Sequence, residues 1–366
     1  MEQKKNVIIL GGCGFIGRNL VAYLVSNKLV NRLRVVDKVP PQVAWLHPEH
    51  QKYFDDPIVE FKHANLVVLE SCKNAFLVDD EISGWDYAIN CAGETKYGQS
   101  SLIYKEGVYK LSSHCIEVAT LCKVKHYIDI SSGQVFSSDK PGDEEHDCAP
   151  WTYVAKWKHE AESIIRKSRT KCTILRPALV YGRGDRQGLT SRAMVAAIYK
   201  FLNEPMKFLW DSDIRVNTVH VDDLCRAIWY VCGREEAVGQ IYNVVDQAGS
   251  TQGSLASMLS EIFKVKVSYY GNLVSSVVDL GNAADEANDK HLVAWANACQ
   301  QDDIQNTPLS PYMDFELLQN KHLNLDGTKL RNLGFTYTVP KPTVESIREA
   351  LKYFLDMKVF PPSLVP

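Results

Sequence analysis

The chain of 366 residues carries 41 Lys and Arg against 44 Asp and Glu, for a formal net charge of −3, and 45% of its residues are hydrophobic. These fractions are typical of a globular protein and exclude a disordered or low-complexity chain, while the length suggests two lobes. The near-neutral charge argues against a nucleic-acid partner, the apolar runs are too short for a membrane span, and no apolar signal core follows the amino terminus.

Strand-like and helix-like segments alternate through the first half of the chain. Short apolar runs predict strands at 6–10, 33–36, 58–61, 87–90, 127–130 and 172–175. Apolar residues at helical spacing predict helices at 15–30, 111–123 and 157–167. Because strands that alternate with helices form parallel sheets with right-handed crossovers, the pattern predicts an α/β fold with a doubly wound parallel sheet.

The pattern is less regular beyond Tyr181. It predicts a helix at 193–201, a strand at 217–221, a helix at 222–232, a strand at 240–244 and a last helix at 344–357. We therefore expect a first domain over residues 1–189 and a smaller carboxy-terminal lobe over residues 190–366, from which some strands return to the sheet.

A glycine-rich loop joins the first predicted strand to the first predicted helix. Gly11, Gly14 and Gly17 have Gly-x-x-Gly-x-x-Gly spacing, with Phe15 and Ile16 at the start of the helix. Glycine permits a tight turn and a close approach of the backbone to a pyrophosphate, and the helix N-terminus offers N–H groups and a partial positive charge. The loop predicts that the first domain is a Rossmann fold that binds a dinucleotide.

An acidic residue ends the second predicted strand. Asp37 lies 20 residues after Gly17, near the spacing at which a carboxylate accepts hydrogen bonds from the adenosine ribose. A carboxylate also repels a 2′-phosphate, so the sequence favours NAD over NADP. Arg34 and Lys38 are close enough in sequence to keep NADP as the alternative.

With these residues in place, the chain resembles the extended short-chain dehydrogenase/reductase superfamily, in its NAD-dependent epimerase/dehydratase group. The resemblance covers most of the chain and rests on motifs in a fixed order: GGCGFIG at 11–17, Asp37, NCAG at 90–93, IDISSGQVF at 128–136, TYVAKWKHEAE at 152–162, LRPALVYGRGD at 175–185, VNTVHVDDLCRA at 216–227 and LDGTKLRNLGF at 325–335. It implies a Rossmann fold that holds NAD(P) and a carboxy-terminal substrate lobe.

The resemblance also implies further cofactor contacts. Asn65 stands where the family usually has an Asp near the adenine, which keeps hydrogen-bonding capacity but removes the charge. The other candidate contacts outside the glycine loop are Leu66, Cys91, Ala92, Gly93 and Pro177.

Catalysis in this family implies a Ser that binds the reacting oxygen, a Tyr that acts as acid and base, and a Lys that lowers the Tyr pKa and holds the nicotinamide ribose. Ser132 fits the Ser position at the end of the fifth strand. The usual spacing is Tyr-x-x-x-Lys, because residues i and i+4 share a helix face, but Trp157 stands four residues after Tyr153. Lys156 lies broadly on the Tyr153 face and Lys158 on the opposite one. The candidate catalytic residues are therefore Ser132, Tyr153 and Lys156, and Lys156 is also the candidate ribose contact.

This departure leaves two hypotheses for the function. In the first, Tyr153 reaches the cofactor from an irregular helix start, and the protein is an NAD(P)-dependent oxidoreductase or epimerase/dehydratase. In the second, the protein is catalytically impaired and binds NAD(H) as a sensor, scaffold or structural subunit. If Lys158 holds the family Lys position, Val154 stands where the Tyr is expected.

The substrate class also stays open at this point. Thr95 and Arg215 are the candidate substrate-binding residues, since a guanidinium can bind a phosphate through two hydrogen bonds. The family pattern favours a nucleotide sugar, although Arg215 is displaced by one residue from the usual position. Apolar stretches such as YYGNLVSSVVDL also suit a sterol-like or polyketide-like substrate.

The ten cysteines and ten histidines show no Cys-x-x-Cys pair and no His-Glu-x-x-His zinc motif. We therefore expect buried, reduced thiols in a cytoplasmic protein and no metal site. A small-molecule substrate is the expected partner, and a homodimer is the candidate assembly.

Overall fold

The computed structural model describes residues 4–79 and 82–365. Six strands of the first half are β1 (Lys5–Leu10), β2 (Val30–Asp37), β3 (Val59–His63), β4 (Tyr87–Asn90), β5 (His126–Ile130) and β6 (Cys172–Pro177). The remaining strands are β7 (Leu179–Tyr181), β8 (Met206–Phe208), β9 (Thr218–His220), β10 (Ile241–Val244) and β11 (Val267–Tyr269). The central sheet is parallel and has the order β10-β6-β5-β4-β1-β2-β3, while β7 pairs with β9 and β8 with β11.

Thirteen α-helices occur in the described residues. They are α1 (Phe15–Ser26), α2 (Pro48–Phe54), α3 (Leu69–Phe76), α4 (Ser101–Tyr104), α5 (Leu111–Leu121), α6 (Tyr153–Lys167), α7 (Leu189–Phe201), α8 (Val221–Val231), α9 (Gln252–Phe263), α10 (Gly271–Ser275), α11 (Leu280–Gln301), α12 (Thr328–Asn332) and α13 (Val344–Asp356). A π-helical segment, Lys105–Lys110, joins α4 to α5. Within the ranges that the structure covers, no helix is both long enough and apolar enough to cross a membrane. Residues 1–3 of the amino terminus lie outside the described residues.

The sheet is buried on both faces, as β1 shows. Val7 and Ile9 point into one apolar cluster, beneath α1 and α8, and Ile8 and Leu10 point into another, beneath α3 and α5. All four side chains are fully buried. A parallel sheet covered by helices on both faces needs such continuous apolar strands, so the predicted doubly wound α/β fold is confirmed.

Several element boundaries differ from the prediction by a few residues, and two of the differences have a clear local reason. Helix α1 ends at Ser26, and Lys28 adopts a left-handed conformation with φ of 54° before β2 begins. Helix α6 begins at Tyr153, four residues before the predicted start, because the Thr152 hydroxyl accepts the N–H of Ala155 and caps the helix.

The second half of the chain contributes to both parts of the molecule. Strand β10 joins the central sheet beside β6. Helices α7, α9, α11 and α13 bury a separate apolar cluster that includes Met194, Phe263, Trp295 and Phe354. All ten cysteines are free thiols. The order of the sheet strands reverses between β1 and β4, and the carboxyl edge beside such a reversal is the usual ligand site of a doubly wound sheet.

Candidate functional site

The glycine loop between β1 and α1 is shaped by its backbone. Gly11 has φ of +75°, and a Cβ there would lie 2.6 Å from the Cα of Ala92, while a Cβ on Gly17 would overlap the carbonyl oxygen of Gly11. Gly14 is the N-cap residue of α1 and provides no side-chain cap. The first-turn N–H groups of α1, from Phe15 onward, have no acceptor within the helix and stay available for an anion.

Asp37 lies beside this loop at the end of β2. Its carboxylate accepts the N–H of Cys13 and the N–H of Val39, each at 3.0 Å. Burial raises the pKa of the Asp37 carboxyl, and these N–H bonds oppose the rise. Arg34, by contrast, is buried and donates to Glu60 at 3.0 Å, so it is not available for a 2′-phosphate. These contacts favour NAD over NADP.

The other candidate cofactor residues lie at or just after the carboxyl ends of β3, β4 and β6. They are Asn65, Leu66, Cys91, Ala92, Gly93 and Pro177. Leu66 and Ala92 are buried, Cys91 is half-buried, and Asn65 is exposed with its side-chain oxygen on the N–H of Val67 at 3.2 Å. The structure therefore places these residues and the glycine loop at one edge of the sheet.

These residues fit a dinucleotide, because the glycine cradle would be filled by any side chain at Gly11 or Gly17 and the N-terminus of α1 carries no capping side chain. NAD bound there supplies hydride transfer to or from a substrate carbon. The chain must supply substrate binding and proton transfer.

A buried lysine lies at the carboxyl end of β5. Lys158 is 5% exposed, and its Nζ donates to the carbonyl oxygen of Ile130 at 2.7 Å. A Cβ on Gly93 would lie 3.5 Å from this Nζ. Lys156 is exposed, and its Nζ lies 5.5 Å from the centre of the Trp157 ring. The structure thus brings Lys158, and not Lys156, to the edge where the cofactor residues lie.

The first turn of α6 explains why Lys158, and not Lys156, lies at this edge. Val154 lies four residues before Lys158 and shares its helix face, is 7% exposed, and packs against Tyr104 and Val108. Tyr153 is 40% exposed, and its ring stacks on Tyr104 with 6.1 Å between ring centres. The buried face of α6 therefore carries a valine where the family spacing expects the tyrosine, and the structure does not bring Tyr153 to that face.

Of the two serines after β5, Ser132 is the more accessible. Ser131 is buried and donates to Glu162 at 2.5 Å, and Glu162 also pairs with Arg176 at 2.6 Å. Burial would raise the pKa of Glu162, but the His159 ring nitrogen 3.6 Å away and the hydrogen bonds from Arg176 and Ser131 lower it to about 2. Ser132 is half-buried, and its oxygen accepts the N–H of Gln134 at 3.1 Å. Its own proton is therefore available for a substrate oxygen.

A tyrosine from the loop after β4 lies next to this turn. The hydroxyl of Tyr97 lies 3.2 Å from Nε2 and 3.4 Å from Oε1 of Gln134. The Thr152 hydroxyl donates to the same Oε1 at 3.0 Å. Burial raises the pKa of the Tyr97 phenol. The Gln134 amide thus holds the Tyr97 phenol beside the Ser132 turn.

A cavity of about 610 Å³ connects this turn to the carboxy-terminal lobe. Its lining includes Tyr97, Gln134 and Trp151 from the sheet side and Trp210 and Arg215 from the lobe. The cationic lining side chains are Arg192, Lys207, Arg215, Lys290 and Lys321, and the carboxylates are Glu204 and Glu286. Thr95 is exposed in the loop after β4 and lies outside the lining residues.

Two buried lining groups lack a hydrogen-bond partner within the part of the chain that the structure describes. They are the indole N–H of Trp151 and both ring nitrogens of His291, a side chain that is 1% exposed. Burial lowers the pKa of His291 to about 4, so its ring is neutral near pH 7 and offers one donor and one acceptor. Buried polar groups of this kind usually bind water or a ligand.

Sequence reasoning weighed Lys158 but selected Lys156, and it did not single out Tyr97, Gln134 or His291. For Lys158 a signal existed, because Val154, Lys158, Ala161 and Ile165 follow the period of one helix face, and the buried residues of α6 match it. For the other three residues we find no comparable local signal, since their positions depend on how loops and helices meet around the cavity.

Comparisons with known proteins show what the chain is similar to. A protein of Schizosaccharomyces pombe with no characterised function is 21% identical over 371 residues, which cover 93% of this chain and 96% of that protein. The 3 beta-hydroxysteroid dehydrogenase/Delta 5→4-isomerase of vaccinia virus is 25% identical over 195 residues, which cover 49% of this chain and only 53% of the viral protein. The structure of UDP-glucuronic acid 4-epimerase from Bacillus cereus, in complex with UDP-glucuronic acid and NAD, superimposes with a TM-score of 0.69 at 13% identity, over 96% of this chain and 99% of that chain. This last likeness shows a shared fold.

A family model gives the assignment. The model of the NAD dependent epimerase/dehydratase family matches residues 7–244, which is more than half of the chain and includes the glycine loop, Asp37, Ser132 and Lys158. The resemblance expected from the sequence is thereby confirmed, and NAD is the cofactor. The chain belongs to the NAD-dependent epimerase/dehydratase family.

Proposed function

We propose that the chain is an NAD-dependent oxidoreductase of the epimerase/dehydratase type that acts on a hydroxyl or carbonyl group of a nucleotide-linked sugar. The observation that carries the proposal is the charge of the cavity. Five cationic side chains and two carboxylates line it, and one of those carboxylates, Glu204, pairs with Lys290 at 2.7 Å. The excess of positive charge favours a substrate with a negatively charged diphosphate.

The position of Arg215 supports this substrate class. Its Nη1 donates once, to the carbonyl oxygen of Gly249 at 3.1 Å, and the side chain lines the cavity. A guanidinium has five N–H donors in a planar array, so donors remain for phosphate oxygens. A sterol offers no charge to these cations.

The unpartnered polar groups support a substrate rich in hydroxyl groups. A neutral imidazole at His291 can both donate to and accept from a hydroxyl, and the Trp151 N–H can donate to another oxygen. A sugar ring supplies such groups, and their binding would remove the cost of leaving both side chains unpaired.

Two residues have distinct roles in this proposal. Ser132 donates a hydrogen bond to the reacting substrate oxygen, because its own oxygen is already occupied by the Gln134 N–H. The Lys158 ammonium, held by Ile130, binds the nicotinamide ribose, the role that we assigned to Lys156 from the sequence.

The test combines cofactor binding with turnover. NADH and NADPH binding is measured by fluorescence titration. Turnover of UDP-glucose, UDP-glucuronic acid and hydroxysteroids is measured by product analysis with NAD present, and absorbance at 340 nm reports any net hydride transfer. We expect tighter binding of NADH and turnover with a nucleotide sugar. Turnover with steroids alone would replace the substrate class, and NADH binding without turnover on any substrate would favour the catalytically impaired hypothesis.

A further inference from the structure

We infer that Tyr97, in the loop after β4, is the proton donor and acceptor of the reaction, in place of a tyrosine on α6. The inference rests on the proposed function, since it identifies the acid and base of that same site. It follows from the absence of an acid or base on the buried face of α6 and from the presence of the Tyr97 phenol in the cavity lining.

Helix α6 offers no acid or base at the expected position. The residue four before Lys158 is Val154, whose side chain has no exchangeable proton and packs in an apolar cluster. The neighbouring Tyr153 lies at the surface with its ring on Tyr104, and its N–H is bound to Glu316 at 2.9 Å. Rotation of α6 to bring Tyr153 inward would expose Lys158, which is buried on the carbonyl of Ile130.

Tyr97 lies in the cavity lining next to the turn that follows β5. Its phenol lines the cavity and contacts the Gln134 amide, and the Gln134 backbone N–H is bound to the Ser132 oxygen at 3.1 Å. One residue therefore links the Tyr97 hydroxyl to the serine that binds the reacting oxygen. The Thr152 hydroxyl fixes the orientation of that amide.

The surroundings of Tyr97 decide its resting state. Burial is the main cause that raises the pKa of its phenol, the charges of Glu316 and Asp314 act in the same direction, and Gln134 and Arg192 oppose them. The phenol is therefore protonated near neutral pH. In the direction of carbonyl reduction, the residue therefore begins as an acid.

The proton balance is simple. In reduction, the O–H bond of Tyr97 would break and a new O–H bond would form on the substrate oxygen, and bound NADH would supply the hydride that the substrate carbon needs. The phenolate left on Tyr97 would regain its proton from solvent. In oxidation, the phenolate accepts the proton of the substrate hydroxyl.

The test compares two tyrosines that each lose a single hydroxyl. With UDP-glucuronic acid as the probe, we expect Tyr97→Phe to lower kcat about 100-fold or more, with KM and the Kd for NADH changed less than threefold. We expect Tyr153→Phe to stay within twofold of wild type in all three. Gln134→Leu, which keeps the phenol but removes its contact, should lower kcat about tenfold. Wild type should show a solvent deuterium isotope effect on kcat.

The results that would contradict the inference differ from the result that would contradict the proposed function. If wild type turns over and Tyr97→Phe retains its kcat, the inference is wrong and the proposed function stands. If Tyr153→Phe loses activity instead, the acid and base belong to α6. A folded Tyr97→Phe that loses NADH binding along with kcat would show a structural role and would also overturn the inference. If wild type turns over no substrate in the panel, the proposed function fails, and the inference fails with it.

Discussion

The first turns of α1 and α6 lie at the same edge of the sheet, but they are built in different ways. At α1, binding depends on backbone: glycines at Gly11, Gly14 and Gly17 leave N–H groups uncovered and allow close packing. At α6, the chemistry depends on side chains, because Val154 and Lys158 occupy the buried face. A binding site built from backbone N–H groups tolerates few substitutions at its glycines. A site built from side chains can lose one functional side chain while the fold is kept. This explains how NAD binding can persist where the usual tyrosine is absent.

The largest expected effect tests the glycine loop before α1. Gly11→Ala should reduce NADH affinity about 100-fold or more and destabilise the fold by about 3 kcal/mol, because the new Cβ would collide with Ala92. Gly239→Ala is a matched control, since Gly239 has the same φ of +75° but open space around it. It should cost about 1 kcal/mol and leave NADH affinity unchanged. Fluorescence titration and thermal unfolding measure the two effects, and equal losses in both variants would contradict the account.

A second prediction tests which lysine of α6 binds the cofactor. Lys158→Ala should weaken NADH binding about 30-fold, because it removes a buried ammonium from the proposed ribose site. Lys156→Ala should change the affinity less than twofold, since its side chain is exposed. The same titration applies to both variants. A larger loss of NADH affinity in the Lys156 variant would show that Lys156, and not Lys158, binds the ribose.

A third prediction concerns the carboxylate beside the glycine loop. Asp37→Asn should weaken NADH binding about tenfold and shift the preference toward NADPH, because the change removes the charge that repels a 2′-phosphate. Asp56→Asn is the control, since Asp56 also accepts an N–H two residues ahead, that of Ile58 at 3.0 Å. A tenfold loss in that control would indicate a general effect of removing a surface carboxylate.

The pH dependence of the same site follows from the raised pKa of Asp37. The carboxylate binds the ribose only when ionised, so NADH affinity should be complete near pH 8 and should fall as the pH drops toward that raised pKa. Asp37→Asn should flatten this dependence. Titrations at pH 8, 7, 6 and 5 measure it, and an equal slope in the variant would assign the dependence to another group.

The smallest effect concerns the substrate end of the cavity. His291→Leu should raise the KM for a nucleotide sugar about threefold to tenfold with little change in NADH affinity, since one or two neutral hydrogen bonds are lost. His291→Gln should restore most of the affinity. Because burial lowers the pKa of His291 to about 4, this contribution should be constant between pH 6 and 8. A KM unchanged in the leucine variant would remove His291 from substrate binding.

The sequence predicted the part of the site that depends on backbone. The Gly11, Gly14 and Gly17 spacing and Asp37 are local features, and the apolar runs locate the strands within a few residues. The start of α6 is also local, but the Thr152 cap shifts which lysine faces inward, and counting from Tyr153 selected Lys156. Tyr97 meets the cavity through the path of the loop after β4, and His291 through the packing of α11 against α7. No spacing in the sequence encodes that proximity.

A crystal structure of the NAD complex tests the central claim most directly, because it locates the lysine that holds the nicotinamide ribose. The account predicts the Nζ of Lys158 within about 3 Å of a ribose hydroxyl, with Lys156 in solvent. It also predicts the Val154 side chain beside the face of the nicotinamide ring that exchanges the hydride. A ribose bound by Lys156, with Tyr153 turned into the cavity, would contradict it.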